Sequence, residues 1–292
     1  MIAESAPATA PLAAHLDRGV LRALALMRER MAEPLSLREM AGAAHQSPYH
    51  FLRTFSRATG LSPGRFLGAI RLKAAVRLLL TTDLSVTDVC FASGYNSLGT
   101  FTRRFSEVIG VPPGRLRMPL PAGVDGRAPA TGDAMAGHGR ESLPGGTTVR
   151  GRVAAGEDRG GRARLIFVGL FATHSPQGFP AACALLRSPG TFALRGVPDG
   201  MYYLLGAAVR DASALWDNFL REHPEFLAGS LQAPLRVEAG AVRGPTLLAL
   251  RLPRPTDPPL LICLPLLLLR DQGVWPAAAA PRGSRRAPGM SA

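Results

Sequence analysis

The strongest constraint on this chain is a repeat. The stretch SPYHFLRTFSRATGLSPGR (residues 47–65) aligns without gaps, at an offset of 50 residues, to SLGTFTRRFSEVIGVPPGR (97–115). Nine of 19 positions are identical: Ser, Phe, Arg, Phe, Ser, Gly, Pro, Gly and Arg. Whatever this region folds into must accommodate the same unit twice. Each copy opens on a serine, suited to an N-cap, and its helical pattern stops at a glycine, suited to a left-handed C-cap. Each also follows a short amphipathic stretch. Each copy therefore reads as the second half of a helix–turn–helix.

A helical wheel separates the core face from the outward face. At about 100° per residue, Phe51, Phe55 and Ala58 lie on one side, and Tyr49, Leu52, Arg53 and Ser56 on the other. In the second copy the same turn buries Phe101 and Phe105 and turns Gly99, Thr102, Arg103 and Ser106 outward. Arg53 and Arg103 thus hold equivalent outward positions. An arginine there is placed to fork onto a guanine edge in a major groove. Arg65 and Arg115 follow Pro-Gly at a helix entry, where phosphate contact or plain solvent exposure is expected.

Helix signals extend on both sides of the repeat. His15 to Met31 carries apolar residues at helical spacing. Ser36 with Glu39 three residues later is a capping-box pattern, opening a helix to about His45. Ser47-Pro48 opens the next helix, Ser62-Pro63 a long one to Leu80, Ser85 a fourth ending near Gly94, and Ser97 a fifth ending near Gly110. Residues 119–146 are rich in Pro, Gly and Ala and read as a linker. From Thr147 short apolar segments alternate with turn residues: Val149–Val153, Ala163–Phe171, Ala182–Leu186, Thr191–Leu194, Met201–Val209, Leu235–Glu238, Leu247–Leu252 and Leu260–Leu269. That spacing suggests an antiparallel β-sandwich, with one helical stretch at Ala214–Glu222. The expected organisation is a flexible N-terminus (1–14), an all-α double helix–turn–helix (15–118), the linker, an all-β sandwich (147–272) and a disordered tail (273–292).

Charge and composition limit the function. The 292 residues carry a net charge of +13, divided almost evenly between residues 1–118 (+7) and 119–292 (+6). The total therefore singles out neither half. Locally, residues 40–82 hold six basic residues (Arg53, Arg57, Arg65, Arg71, Lys73, Arg77) and no acid. Three widely spaced cysteines form no CxxC pair, which argues against a disulfide scaffold or a thiolate zinc site. The six histidines make no HExxH, and no Walker, GxGxxG or GxSxG motif is present. Cys90 reads as a packed core thiol, and Trp216 and Phe219 as core residues. Neither catalysis, a metal nor a cofactor is expected. The Leu260–Leu269 run holds 10 residues and Pro265, far below the ~20 of a membrane span, and reads as a sandwich strand.

Residues 35–117 resemble the AraC/XylS-type DNA-binding domain. The resemblance rests on LSLREMAGAAHQSPYHFLRTFSRATGLSP and SVTDVCFASGYNSLGTFTRRFSEVIGVPPGRLR, with Ala92, Gly94-Tyr95, Phe101, Phe105 and the Gly110-Val-Pro-Pro turn. It implies seven helices, two reading helices (about 47–59 and 97–109) in successive major grooves, and a rigid bridge near Pro63–Leu80. Carried over by position, the base readers are Tyr49, Leu52, Arg53, Ser97, Gly99, Thr100 and Arg103. The backbone contacts are Ser47, Arg57, Arg65, Arg104 and Arg115. Leu52 and Gly99 replace the polar readers frequent in the family, and Leu52 suits a thymine methyl. The resemblance implies a cytoplasmic, nucleoid-associated transcription regulator. Double-stranded DNA is its partner, with RNA polymerase and a second copy of the chain as further candidates, an effector unidentified, and no membrane. In the second half, SPGTFALRGVPDGMYYLLGAAV (188–209) resembles the carboxypeptidase-regulatory, transthyretin-like sandwich, which suggests dimerisation or effector sensing. The alternative reading is a ligand- or protein-binding sandwich whose basic half docks on nucleic acid without sequence preference.

Overall fold

The computed structural model describes residues 10–116, 146–155, 165–174, 180–209, 226–231, 233–259 and 261. Among them, seven helices precede nine strands. The helices are α1 (Ala10–Glu29), α2 (Leu37–Ala43), α3 (Pro48–Thr59), α4 (Pro63–Thr81), α5 (Val86–Ala92), α6 (Leu98–Ile109) and α7 (Pro113–Leu116). The first begins before the expected His15 and ends before Met31.

Local chemistry sets the helix ends. Ser36 caps α2 by accepting from the Glu39 N–H, while the Glu39 carboxylate accepts from the Ser36 N–H at 2.8 Å. Ser85 and Asp88 form the same reciprocal box on α5. Each box satisfies two of the four orphan donors at its helix start. Ser47 and Ser97 each accept from the N–H three residues on. Ser62 makes no such bond, so α4 starts on the proline at N1 alone. Gly60 and Gly110 close α3 and α6 at φ +73° and +91°, a region that L side chains rarely enter.

The helices enclose two cores joined by α4. The first gathers Leu24, Met27, Met40, Phe51, Phe55 and Phe66; the second gathers Leu72, Val76, Val89, Cys90, Phe101 and Phe105. Helix α4 gives Phe66, Leu67 and Ile70 to the first and Leu72, Val76 and Leu79 to the second. Burial on more than one side explains why its sequence shows little amphipathic bias. The four repeat phenylalanines are fully buried, each worth about 1.5–3 kcal/mol of removed apolar surface. Ser56, Thr102 and Ser106, expected outward, are only half-exposed, and one position departs further. Ala58 is exposed, and Thr59 is buried instead. The Thr59 hydroxyl donates to Phe55 O and Leu61 O, so its burial leaves no polar group unsatisfied.

The strands are β1 (Thr147–Ala155), β2 (Leu165–Phe171), β3 (Ala182–Leu186), β4 (Gly190–Val197), β5 (Gly200–Val209), β6 (Leu227–Ser230), β7 (Leu235–Glu238), β8 (Ala241–Arg243) and β9 (Leu247–Leu250). One sheet runs β4-β1-β9. The other runs β3-β2-β5-β7-β8, with β6 also paired to β5. Val149, Val153, Ile166, Val168, Leu204 and Leu248 fill the core of the β region. The expected purely antiparallel arrangement is corrected at one pair: β1 and β9 run parallel, Arg152 opposite Leu247. Strands β6 and β8 had no separate signal in the sequence. The expected linker over 119–145, the Ala214–Glu222 helix, Trp216, Phe219 and the tail lie outside the described residues. Of the Leu260–Leu269 run only Leu261 is described. It is in no strand, and it packs in the second helical core rather than between the sheets.

Candidate nucleic-acid interface

Helices α3 and α6 present the two copies of the repeat. Their apolar faces carry tilted ring contacts, Phe51–Phe55 at 5.3 Å and Phe101–Phe105 at 5.5 Å between centroids. The opposite faces are left to solvent. Tyr49, Leu52, Arg53, Ser97, Gly99, Thr100 and Arg103 are all exposed, Tyr49 to 73%. Ser47, Arg57, Arg65 and Arg115 are exposed as well, and Arg104 is half-buried. A Cβ built on Gly99 meets nothing within 4 Å, so the helix backbone lies open to close approach there.

The two faces share a skeleton but not their electrostatics. On α3 the Arg53 guanidinium lies over the Tyr49 ring, 5.9 Å from its centroid, a cation–π contact along one helix turn. On α6 Glu107 stands 3.5 Å from Arg103 and 3.5 Å from Arg104. The residue equivalent to Glu107 in the first copy is Arg57. One face is therefore purely basic, and the other carries a carboxylate that competes for its arginines. The Tyr49–Arg53 and Arg103–Glu107 contacts lie at i,i+4 spacing and Arg104–Glu107 at i,i+3, spacings at which helix side chains are neighbours.

Two of the serines have local duties. The Ser47 and Ser97 hydroxyls accept from His50 N–H and Thr100 N–H, both at 3.4 Å. Their own hydroxyl protons remain able to donate.

The acid-free stretch is not one basic surface. Arg71 turns inward and donates to Met31 O and Glu33 O, both at 2.7 Å, tying α4 to the α1–α2 loop. Burial lowers its pKa, and the Tyr95 hydroxyl opposes that shift. Burial likewise raises the Tyr95 phenol, against the pull of Arg104 and Arg71. Gly94 sits against the same loop. At φ +83°, a Cβ on it would strike Met31 O and come within 2.9 Å of Arg71 Nε. This inner arginine was counted in the sequence with its outward neighbours, because charge alone does not give direction.

Residues 40–118 match the family model described as helix-turn-helix domain. This chain holds a helix-turn-helix domain. The domain is 31% identical over 90 residues to the uncharacterised HTH-type transcriptional regulator YobQ of Bacillus subtilis, covering 31% of this chain and 37% of that protein. It is 32% identical over 102 residues to the MmsAB operon regulatory protein of Pseudomonas aeruginosa, covering 35% and 33%. A third relative, 29% identical over 30% of this chain and 42% of its own length, is the bifunctional transcriptional activator/DNA repair enzyme AdaA of Bacillus subtilis. The chain spans about a third of the length of the curated relatives it matches. Among solved structures, the DNA-binding domain of AdpA in complex with a target DNA is 29% identical, with TM-score 0.33 over 34% of this chain and 89% of that one. An AraC-type DNA-binding-domain regulator from Chromobacterium violaceum is 26% identical, with TM-score 0.34 over 36% and 93%. Among the described residues, no helix is long and apolar enough to cross a membrane and no cluster of potential metal ligands is found.

Proposed function

We propose that the chain is a sequence-specific, DNA-binding transcription regulator of the AraC type. The observation that carries this reading is the pair of exposed faces on α3 and α6, built on one buried skeleton and joined by α4. In this reading Tyr49, Leu52 and Arg53 meet base edges in one major groove, and Ser97, Gly99, Thr100 and Arg103 in the next. Arg53 and Arg103 fork onto guanine, and Leu52 touches a thymine methyl. Ser47, Arg57, Arg65, Arg104 and Arg115 hold phosphates, which fixes register without reading sequence. The chain acts in the cytoplasm, at the nucleoid, with no catalysis of its own. The β region, transthyretin-like in its 188–209 motif, serves dimerisation or effector sensing, and RNA polymerase is the partner at the promoter.

The test uses the full chain and duplexes selected for binding. Arg53→Ala and Arg103→Ala each relax base preference at one subsite, at about 1–3 kcal/mol per guanine contact. A uniform loss of affinity with base preference intact would reduce both arginines to phosphate contacts. Equal binding to all duplexes would leave the sandwich as the specific binder and the basic half as a nonspecific dock.

A further inference from the structure

We propose that residues 251–259 form a strap through which the β region controls the second helix–turn–helix unit, with Leu261, two residues on, as its plug. The strap leaves β9 at Arg251, which is bridged to Ala228 by paired backbone hydrogen bonds of 2.8 and 3.0 Å. The Arg251 guanidinium grips the Asp257 carboxylate with both terminal nitrogens, at 2.7 and 2.8 Å. Asp257 also accepts from the Arg254 N–H at 2.7 Å, and its own N–H donates to Arg254 O at 2.9 Å. Pro253, Pro255, Pro258 and Pro259 fix φ along the same stretch. The strap is therefore a stiff, internally bonded segment rather than a slack linker.

It touches both halves of the helical domain. Arg28 of α1 donates to Pro255 O at 3.1 Å, on the first unit. Leu261 is fully buried among the residues of the second core, with Leu72, Val89, Cys90, Phe101 and Phe105. The β region also meets the C-terminal end of α3. His174 packs edge-on to Tyr203 at 5.3 Å, and a Cβ on Gly60 would lie 2.6 Å from its Nδ1. That end lies opposite the Tyr49 end of the helix, so docking leaves the reading face open.

A leucine seated in a neighbouring unit's core couples the two physically. Seated, the plug completes the core shared by α4, α5 and α6; withdrawn, it leaves a leucine-sized void in that core. Any event in the β region that shifts Arg251 moves the plug, which is how a distant site biases a two-state element. The coupling to DNA rests on the function proposed above, whereas the plug itself does not.

The experiment compares the full chain with Leu261→Asp and the milder Leu261→Ala. Cys90 is fully buried in the plugged core and reports its opening. Iodoacetamide labelling, located by mass spectrometry, is read beside hydrogen exchange of α2–α3 and α5–α6. Leu261→Asp raises Cys90 labelling by about tenfold or more and loosens α5–α6, Leu261→Ala does so less, and α2–α3 is unchanged. Affinity for a two-subsite duplex falls, with base preference lost at the α6 subsite alone. Unchanged Cys90 labelling and unchanged α5–α6 exchange would overturn the strap, as would equal loosening of both units. If Cys90 opens as stated while the parent chain shows no base preference, the plug stands and the DNA-reading assignment fails.

Discussion

Glu107 is the sharpest difference between the two repeat copies, and Glu107→Gln is the perturbation that exploits it. Its carboxylate lies 3.5 Å from both Arg103 and Arg104, and the side chains are exposed to 48%, 74% and 40% respectively. At that separation a charge pair in water interacts by about 1 kcal/mol. Measured exposed pairs contribute roughly 0.2–1 kcal/mol, and two arginines sharing one carboxylate do not sum fully. To meet DNA, Arg103 must give up this partner, so the free protein is stabilised by about 0.5–1 kcal/mol relative to the bound one. Glu107→Gln keeps the shape and one acceptor oxygen but removes the charge. Affinity for a selected duplex should rise about two- to fivefold at ~50 mM salt, with the preferred sequence unchanged. Near 0.5 M salt the gain should shrink to almost nothing. Fluorescence anisotropy across a salt series measures both. In the first copy Arg57→Glu installs the second copy's pattern, and because it also removes a phosphate contact it should weaken binding by more than that factor. Unchanged or weaker binding by Glu107→Gln would refute the reasoning and make Glu107 an orienter of Arg103 instead.

Four further outcomes follow from the geometry. Phe101→Ala opens the second core and should cost about 3–5 kcal/mol in denaturant unfolding, whereas Leu98→Ala, at an exposed position, should cost under about 0.5. Gly94→Ala forces a Cβ against Met31 O at φ +83° and should lower stability by more than about 1 kcal/mol, read as a shift in Tm. Arg71→Met strands two carbonyls and should destabilise by about 1–3 kcal/mol, while the folded variant keeps its duplex affinity, because Arg71 faces inward. The Ser36 N–H, then the Ser36 hydroxyl, hold the Glu39 carboxyl below the usual Glu range. A depressed folded-state value means that this cap is fully present above the ordinary Glu range and is lost as pH falls through the lowered one. An NMR titration of α2 amides should therefore show the helix start loosening only at acid pH.

The helical half was legible because its signals are local. Ser36, Ser47, Ser85 and Ser97 cap α2, α3, α5 and α6 within three residues of themselves, and Gly60 and Gly110 stop α3 and α6, so these boundaries are set by neighbours in sequence. The repeat added direction, since Phe and Arg at fixed spacing give both the buried and the outward face. What escaped depends on partners far along the chain. The parallel pairing of β1 with β9 joins residues near 152 to residues near 247, and no local pattern encodes a register over that distance. Strand β6 reads LAGS, without the apolar–polar alternation of the equally short β7, and β8 has only three residues. Leu261 is the clearest case. An apolar run says that a side chain will be buried, not against what, and this one is buried against helices. Arg71 escaped for the same reason, since its partners are the Met31 and Glu33 carbonyls of a distant loop.

Two unequal copies of one unit that read DNA together across adjacent grooves require a two-part site. Selection of bound duplexes from a random pool by the full chain tests it most directly. The expected pool holds two short consensus subsites with centres about 10 bp apart, guanine at one position in each, and loss of one subsite for each of Arg53→Ala and Arg103→Ala. A single subsite, or a pool that gains no consensus while binding remains steeply salt-dependent, would contradict it.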